Sequence, residues 1–160
     1  MDLVGEGHLR AGILPYILEK GTHYYAFGIS FPVNNITYIG GGICADDGDI
    51  LETALREYKE ESLGVFGALS KDSLCKMEYI KDKRSVLFLH QVKGNLSFYV
   101  DKFQNLEKSK KHELKGIIWL TKKQITVIIR SQNFKVINSK VLLVNKNTLN
   151  LLKENLDRLK

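Results

Sequence analysis

The stretch GGGICADDGDILETALREYKEESLG, residues 40–64, decides how the rest of the chain reads. Asp49 and Glu52, three positions apart, form a capping-box pattern, in which side chains satisfy the free amides of a first helical turn. The helix they open is expected over residues 50–63, ending near Gly64. On it, Glu57, Glu60 and Glu61 fall at i, i+3 and i+4, so their carboxylates share one face. Leu51, Ala54, Leu55 and Tyr58 take the adjoining face and can bury it. Like charges this close cost roughly 0.2–0.5 kcal/mol per pair, a cost that bound cations remove. Hard oxygen donors of this kind suit Mg2+ or Mn2+ rather than zinc or copper. Alone, the three glutamates fit a solvated acidic helix face equally well. Gly40, Gly41 and Gly42 shift that balance, because glycines at a strand end let main-chain carbonyls and amides approach a metal or phosphate closely.

Outward from this stretch, residues 12–18 are rich in β-formers and should be a strand. Lys20-Gly21-Thr22 reads as a turn into a second strand over residues 23–29. Asn34-Asn35 marks another turn before residues 36–39, which run into the three glycines. Residues 85–92 and 96–100 read as two further strands joined through Lys93-Gly94-Asn95, and residues 117–120 as a short one. Thr121 and Gln124 repeat the capping-box pattern, so a helix should cover residues 122–130. Leu149, Leu152, Leu156 and Leu159, spaced by threes and fours, make the stripe of an amphipathic helix. Strands first, with helices between and after, give a mixed α/β fold with a helix-covered sheet. There is no internal repeat and no Pro/Ser-rich linker. The 160 residues suit a single domain over 1–160, long enough to bury its own core.

Composition narrows the setting. Hydrophobic residues make up 44% of the chain and charged residues 26%, as in ordinary globular proteins. No apolar run nears the ~20 residues that cross a bilayer, so no membrane partner is expected. Residues 1–6 lack the basic-then-apolar pattern of a secretory signal. Cys44 and Cys75 are too few for a disulfide framework and have no zinc-type spacing, which points to a reducing, cytoplasmic compartment. The net charge of +6 is uneven: residues 1–100 hold ten basic against thirteen acidic side chains, residues 101–160 fourteen against five. A basic second part either attracts polyanions or, as charge runs usually do, merely solubilises a surface that includes Lys108, Lys110 and Lys111.

The spacing within residues 42–63 resembles the box of the Nudix hydrolases, G-x5-E-x7-R-E-U-x-E-E-x-G-U, with U a bulky aliphatic residue. Gly42 matches the first glycine. Arg56, Glu57, Glu60 and Glu61 match the R-E-U-x-E-E core, with Tyr58 at U. Two positions depart. Gly48 stands where the box has its first glutamate, leaving Asp47, Asp49 or Glu52 as replacement partners for Arg56. Leu63 stands where the box closes on glycine, with Gly64 one place late. Outside the box, Arg10-Ala11-Gly12 opening a strand, and Glu113 ahead of residues 117–120, fit the family's layout.

The resemblance implies an α/β/α sandwich with a mixed sheet packed between helices. It implies a metal-dependent pyrophosphohydrolase that cleaves a phosphoanhydride in a nucleoside diphosphate linked to another group. Mg2+ or Mn2+ would be held by the Gly41 carbonyl, Glu57, Glu60 and Glu61, with Arg56 orienting Glu57. The base that takes the proton from the attacking water is open among Glu57, Glu61 and Glu113. Two substrate classes remain: a nucleotide-type small molecule, or capped RNA tracked by Lys108, Lys110, Lys111, Lys115, Lys122 and Lys123. A catalytically weakened module that binds nucleotide or RNA is the non-enzymatic alternative. Trp119, Phe31, Tyr38 and Tyr16 are candidates for stacking on a base, although core packing is the commoner role of such residues. His90, inside an apolar strand, reads as a structural histidine ahead of a catalytic one.

Overall fold

The computed structural model describes residues 7–30, 34–109, 112–135 and 141–160. Its centre is β1 (Arg10–Glu19), whose apolar residues continue on both sides of the strand. Ala11, Ile13 and Ile17 enter one buried cluster, and Leu14 enters the other. A strand with both faces covered reads as a near-continuous apolar run rather than an alternation.

Around β1 the described residues form one mixed sheet. β2 (Thr22–Ser30) pairs antiparallel with the second half of β1, and β4 (Ile39–Gly42) pairs antiparallel with the first half. β6 (Ser85–Gln91) runs parallel along the other edge, with β5 (Tyr79–Lys81) antiparallel beyond it. β2 is flanked by β3 (Asn35–Thr37) and by β7 (Leu114–Leu120). β9 (Val141–Val144) extends β3 in parallel, and β8 (Asn133–Lys135) closes that side.

Helices cover both faces. α1 (Ile50–Ser62), α2 (Lys71–Cys75) and α3 (Leu96–Asn105) supply Ala54, Tyr58, Leu74, Tyr99 and Phe103 to one cluster. α4 (Lys122–Ser131) and α5 (Lys146–Asn155) supply Ile125, Ile128, Leu151 and Leu152 to the other. The architecture is the expected α/β/α arrangement. Among the described residues, no helix is long and apolar enough to cross a membrane.

Several expectations need correction. Residues 96–100 belong to helix α3, not to a strand, and Asn95 is its N-cap, its side chain accepting the Phe98 amide at 2.8 Å. A five-residue apolar run fits either period. Leu96, Tyr99 and Phe103, three and four apart, bury the helical face against the core. The strand expected over residues 36–39 is two strands, because β3 pairs with β2 and β4 turns to pair with β1. The C-terminal helix stops at Asn155, a 3-10 turn covers Leu156–Arg158, and Leu159 is still buried. Both capping signals mark helix starts, with Asp49 accepting the Glu52 amide at 2.9 Å. Of these two, the box at Thr121 and Gln124 is reciprocal.

The close of α1 explains the displaced glycine. Leu63 itself adopts the left-handed conformation (φ 55°) and donates its amide to the Lys59 carbonyl. This position favours glycine because a Cβ there costs about 1 kcal/mol. Gly64 follows at φ 79°. The helix therefore ends where the sequence places it, with the strain carried by Leu63.

The glycine run serves a close approach of strands. Gly12 and Gly40 sit opposite each other in the β1–β4 pair. A Cβ on Gly12 would lie 2.1 Å from the Ile39 carbonyl oxygen, and one on Gly40 would lie 2.6 Å from that of Ala11. This tight pairing sets the end of β4 directly beneath α1.

Candidate active site

Asp47, in the loop before α1, organises the local charges. Its carboxylate meets Arg56 side-on, with Nε to Oδ1 and Nη2 to Oδ2 both at 3.0 Å. It also accepts the Cys44 amide at 2.9 Å and the Thr53 hydroxyl at 2.8 Å. Its side chain is 5% exposed. The Arg56 hydrogen bonds, followed by the Cys44 amide, hold its carboxyl well below the usual carboxylate range. Asp47 thus supplies the carboxylate that the box places at position 48. Asp49 and Glu52 are engaged elsewhere. Lys71 lies 2.9 Å from Asp49 and 3.5 Å from Glu52, and Glu52 also accepts the Gly48 amide.

Anchored in this way, Arg56 spreads its remaining donors over the site. Nη2 reaches the Gly42 carbonyl at 2.9 Å, and Nη1 reaches Glu57 at 3.0 Å and Glu60 at 3.3 Å. Arg56 makes one hydrogen bond to Glu57, and its bidentate contact goes to Asp47. Glu57 in turn lies against Gly41, where a Cβ would fall 2.5 Å from its carboxyl carbon and 2.5 and 2.6 Å from its two oxygens. Gly41→Ala must therefore push the Glu57 carboxylate aside. The expected result is a folded protein with at least about 10-fold weaker Mn2+ binding, measured by titration with the free ion; unchanged affinity would show that Glu57 has no part in cation binding.

Glu61 is the buried member of the group, 8% exposed. It accepts the Gly40 amide at 3.1 Å. Burial, and then the neighbouring Glu57 charge, push its carboxyl up to about 9. Burial likewise raises Glu57, against the opposing effect of Arg56. Glu60 stands at the rim with its side chain 58% exposed. Glu57, Glu60 and Glu61 line a cavity of about 280 Å3 together with Ser109, His112 and Glu113. The fold therefore carries Glu113, from the segment before β7, to the helix glutamates.

The donor set fits a hard divalent cation: four carboxyl groups around one cavity, one of them buried. It is not a ready-made cage. Among the described residues, no group of three His, Cys, Asp or Glu side chains is closed enough to hold a metal ion. Glu57 and Glu60 both pair with Arg56, at 3.0 and 3.3 Å.

The other candidates separate clearly. His90 is structural: Nε2 lies 3.1 Å from the Phe66 carbonyl oxygen, and burial lowers its pKa. Tyr38 is buried, with its hydroxyl between Arg10 Nε at 2.7 Å and Ser85 Oγ at 3.1 Å. Trp119 donates to the Leu96 carbonyl at 3.1 Å and packs edge-on to Phe66. Tyr16 stacks on His23. Phe31, Lys110 and Lys111 lie outside the described residues. Lys108 donates to the Phe103 and Leu106 carbonyls at 2.6 and 3.1 Å, which commits it to the end of α3. Lys115 stands on β7, while Lys122 and Lys123 open α4 on the sheet face opposite α1. His112 was not expected in the site, since a lone histidine in a basic segment carries no spacing signal.

No protein-family model and no curated protein matches the sequence. Solved structures do match its fold. A Nudix hydrolase from M. smegmatis, RenU, aligns over 94% of this chain and 85% of its own, with TM-score 0.54 and 10% identity. The Nudix domain of Shewanella oneidensis NrtR, solved with ADP ribose, covers 94% and 87% with TM-score 0.49 and 10% identity. A C. elegans Ap4A hydrolase covers 74% and 82% with TM-score 0.45 and 17% identity. With its mixed sheet between helices and its agreement with RenU over nearly the whole chain, this protein has the Nudix hydrolase fold.

Proposed function

We propose that the chain is a divalent-cation-dependent pyrophosphohydrolase acting on a nucleoside diphosphate linked to a second group. The observation that carries this reading is the cavity in which Glu57, Glu60, Glu61 and Glu113 meet. A solvated acidic helix face has no need of a buried glutamate, a glycine cut away beneath a carboxylate, or a fourth carboxylate brought from a distant segment.

Glu57, Glu60, Glu61 and the Gly41 carbonyl are the groups that would hold Mg2+ or Mn2+. Such ions, when bound, neutralise phosphate charge and lower the pKa of bound water. Glu60, exposed at the rim, is free to exchange Arg56 for a cation by rotating its side chain. Arg56, fixed by Asp47, keeps Glu57 in place through a charge-assisted bond. The water oxygen forms a bond to phosphorus as the bridging P–O bond breaks. The leaving phosphate keeps the electron pair, and the water proton passes to a carboxylate. Glu57, Glu61 and Glu113 all border the cavity in reach of that role.

The test is a panel of nucleoside diphosphate sugars, dinucleoside polyphosphates and capped RNA, incubated with Mn2+ or Mg2+ and analysed for products. Cleavage of at least one compound is expected, with turnover falling at least about 10²-fold on exhaustive chelation. Turnover that survives chelation excludes the mechanism. Binding without product selects the non-catalytic module.

A further inference from the structure

His112, just before β7, reaches across to α1. The His112 Nε2 lies 3.0 Å from the main-chain oxygen of Glu61. A carbonyl oxygen only accepts, so Nε2 is the donor. Glu61 lies in the last turn of α1, where carbonyls lack a helical partner, and among the described residues no other backbone donor is seen on its oxygen. His112 supplies that missing partner. Its ring packs at 6.1 Å from Phe103, and its amide donates to the Ser109 carbonyl at 3.0 Å. Lys108, over the same Phe103 ring at 4.5 Å, ties the start of the segment to the end of α3. The next residue, Glu113, lines the cavity with Glu57 and Glu61.

We propose that His112 is a positioning residue: its bond to the Glu61 main chain holds the segment so that the Glu113 carboxylate faces the helix glutamates across the cavity. The inference rests on the hydrolase reading above. In this arrangement the helix that carries the acidic cluster also sets the register of the segment that brings the fourth carboxylate. Glu113, itself exposed, stands between this tether and Leu114, which is buried at the head of β7 and pairs with Ser30.

The experiment combines His112→Leu and His112→Gln with Glu113→Gln, singly and paired, and measures kcat, KM and melting temperature on the compound the wild type cleaves. Leucine keeps the packing on Phe103 and loses the donor; glutamine keeps a donor. His112→Leu is expected to lower kcat about 10-fold with KM within about twofold, and His112→Gln to recover most of that loss. In the Glu113→Gln background, His112→Leu should cost nothing further, because residues acting through one another are not additive. Additive losses, an unchanged kcat in His112→Leu, or a change in KM alone would overturn the tether while leaving the hydrolase reading standing. A wild type that cleaves nothing in the panel overturns that reading, and this inference with it.

Discussion

Glu61→Gln is expected to leave the protein folded while removing at least about 10²-fold of its cation-dependent turnover. The two halves of this result have separate causes. Glu61 is buried, and its carboxyl is pushed up to about 9 by burial and by Glu57, so in the cation-free protein it carries a proton at neutral pH. Glutamine nearly matches a protonated glutamic acid in size and still offers an oxygen to the Gly40 amide. Folding stability should therefore change by no more than about 1 kcal/mol, measured by denaturant unfolding without added metal. The charge is needed only when a cation is bound, and an amide cannot supply it. A well-folded Glu61→Gln protein with undiminished turnover would remove this helix from the reaction.

Asp47→Ala should damage both stability and activity. The substitution strips Arg56 of its side-on partner, leaves the Cys44 amide without its acceptor and leaves the Thr53 hydroxyl only the Asp49 carbonyl at 3.4 Å. Arg56 is 27% exposed and keeps Glu57, Glu60 and the Gly42 carbonyl, so solvent and its other partners soften the loss. A charge-assisted hydrogen bond of this kind contributes about 2 kcal/mol, equivalent to a drop of roughly 4–8 °C in melting temperature for a chain of this size. Turnover should fall about 10–100-fold, because a freed Arg56 no longer holds Glu57 in one place. The pH dependence gives an independent check. The folded-state pKa of Asp47 is depressed, so its contribution is present above the ordinary carboxylate value of about 4 and is lost as the pH falls below it. Wild type and Asp47→Ala should differ in stability near neutrality and converge in acid. Parallel curves down to low pH would show that Asp47 is not the partner that matters.

Much of the site is legible in residues 40–64 because its logic is local. A capping residue, a helical period and three glutamates within one turn place Glu57, Glu60 and Glu61 on one face whatever the rest of the chain does. The core of that helix is equally legible, since Ala54 and Tyr58 fall on the stripe that packs against β1 and β4. Local reasoning fails where two periods compete, as in residues 96–100, whose helical face is chosen by packing against the sheet. It also fails where the register of a loop must be known. Nothing in the order Asp47-Gly48-Asp49 states which carboxylate turns inward.

By itself, then, the sequence determined the acidic helix, the glycine entry beneath it, and the short list of carboxylates able to meet Arg56. Only the tertiary structure decided that Asp47 is the one that does, that Arg56 also bonds Glu57 and Glu60, and that His112, next to Glu113, bonds the main chain at the end of α1. The division follows chain distance. Groups within one helical turn meet because the backbone geometry requires it, whereas groups on separate segments meet only once the core has packed and each loop has taken a single course.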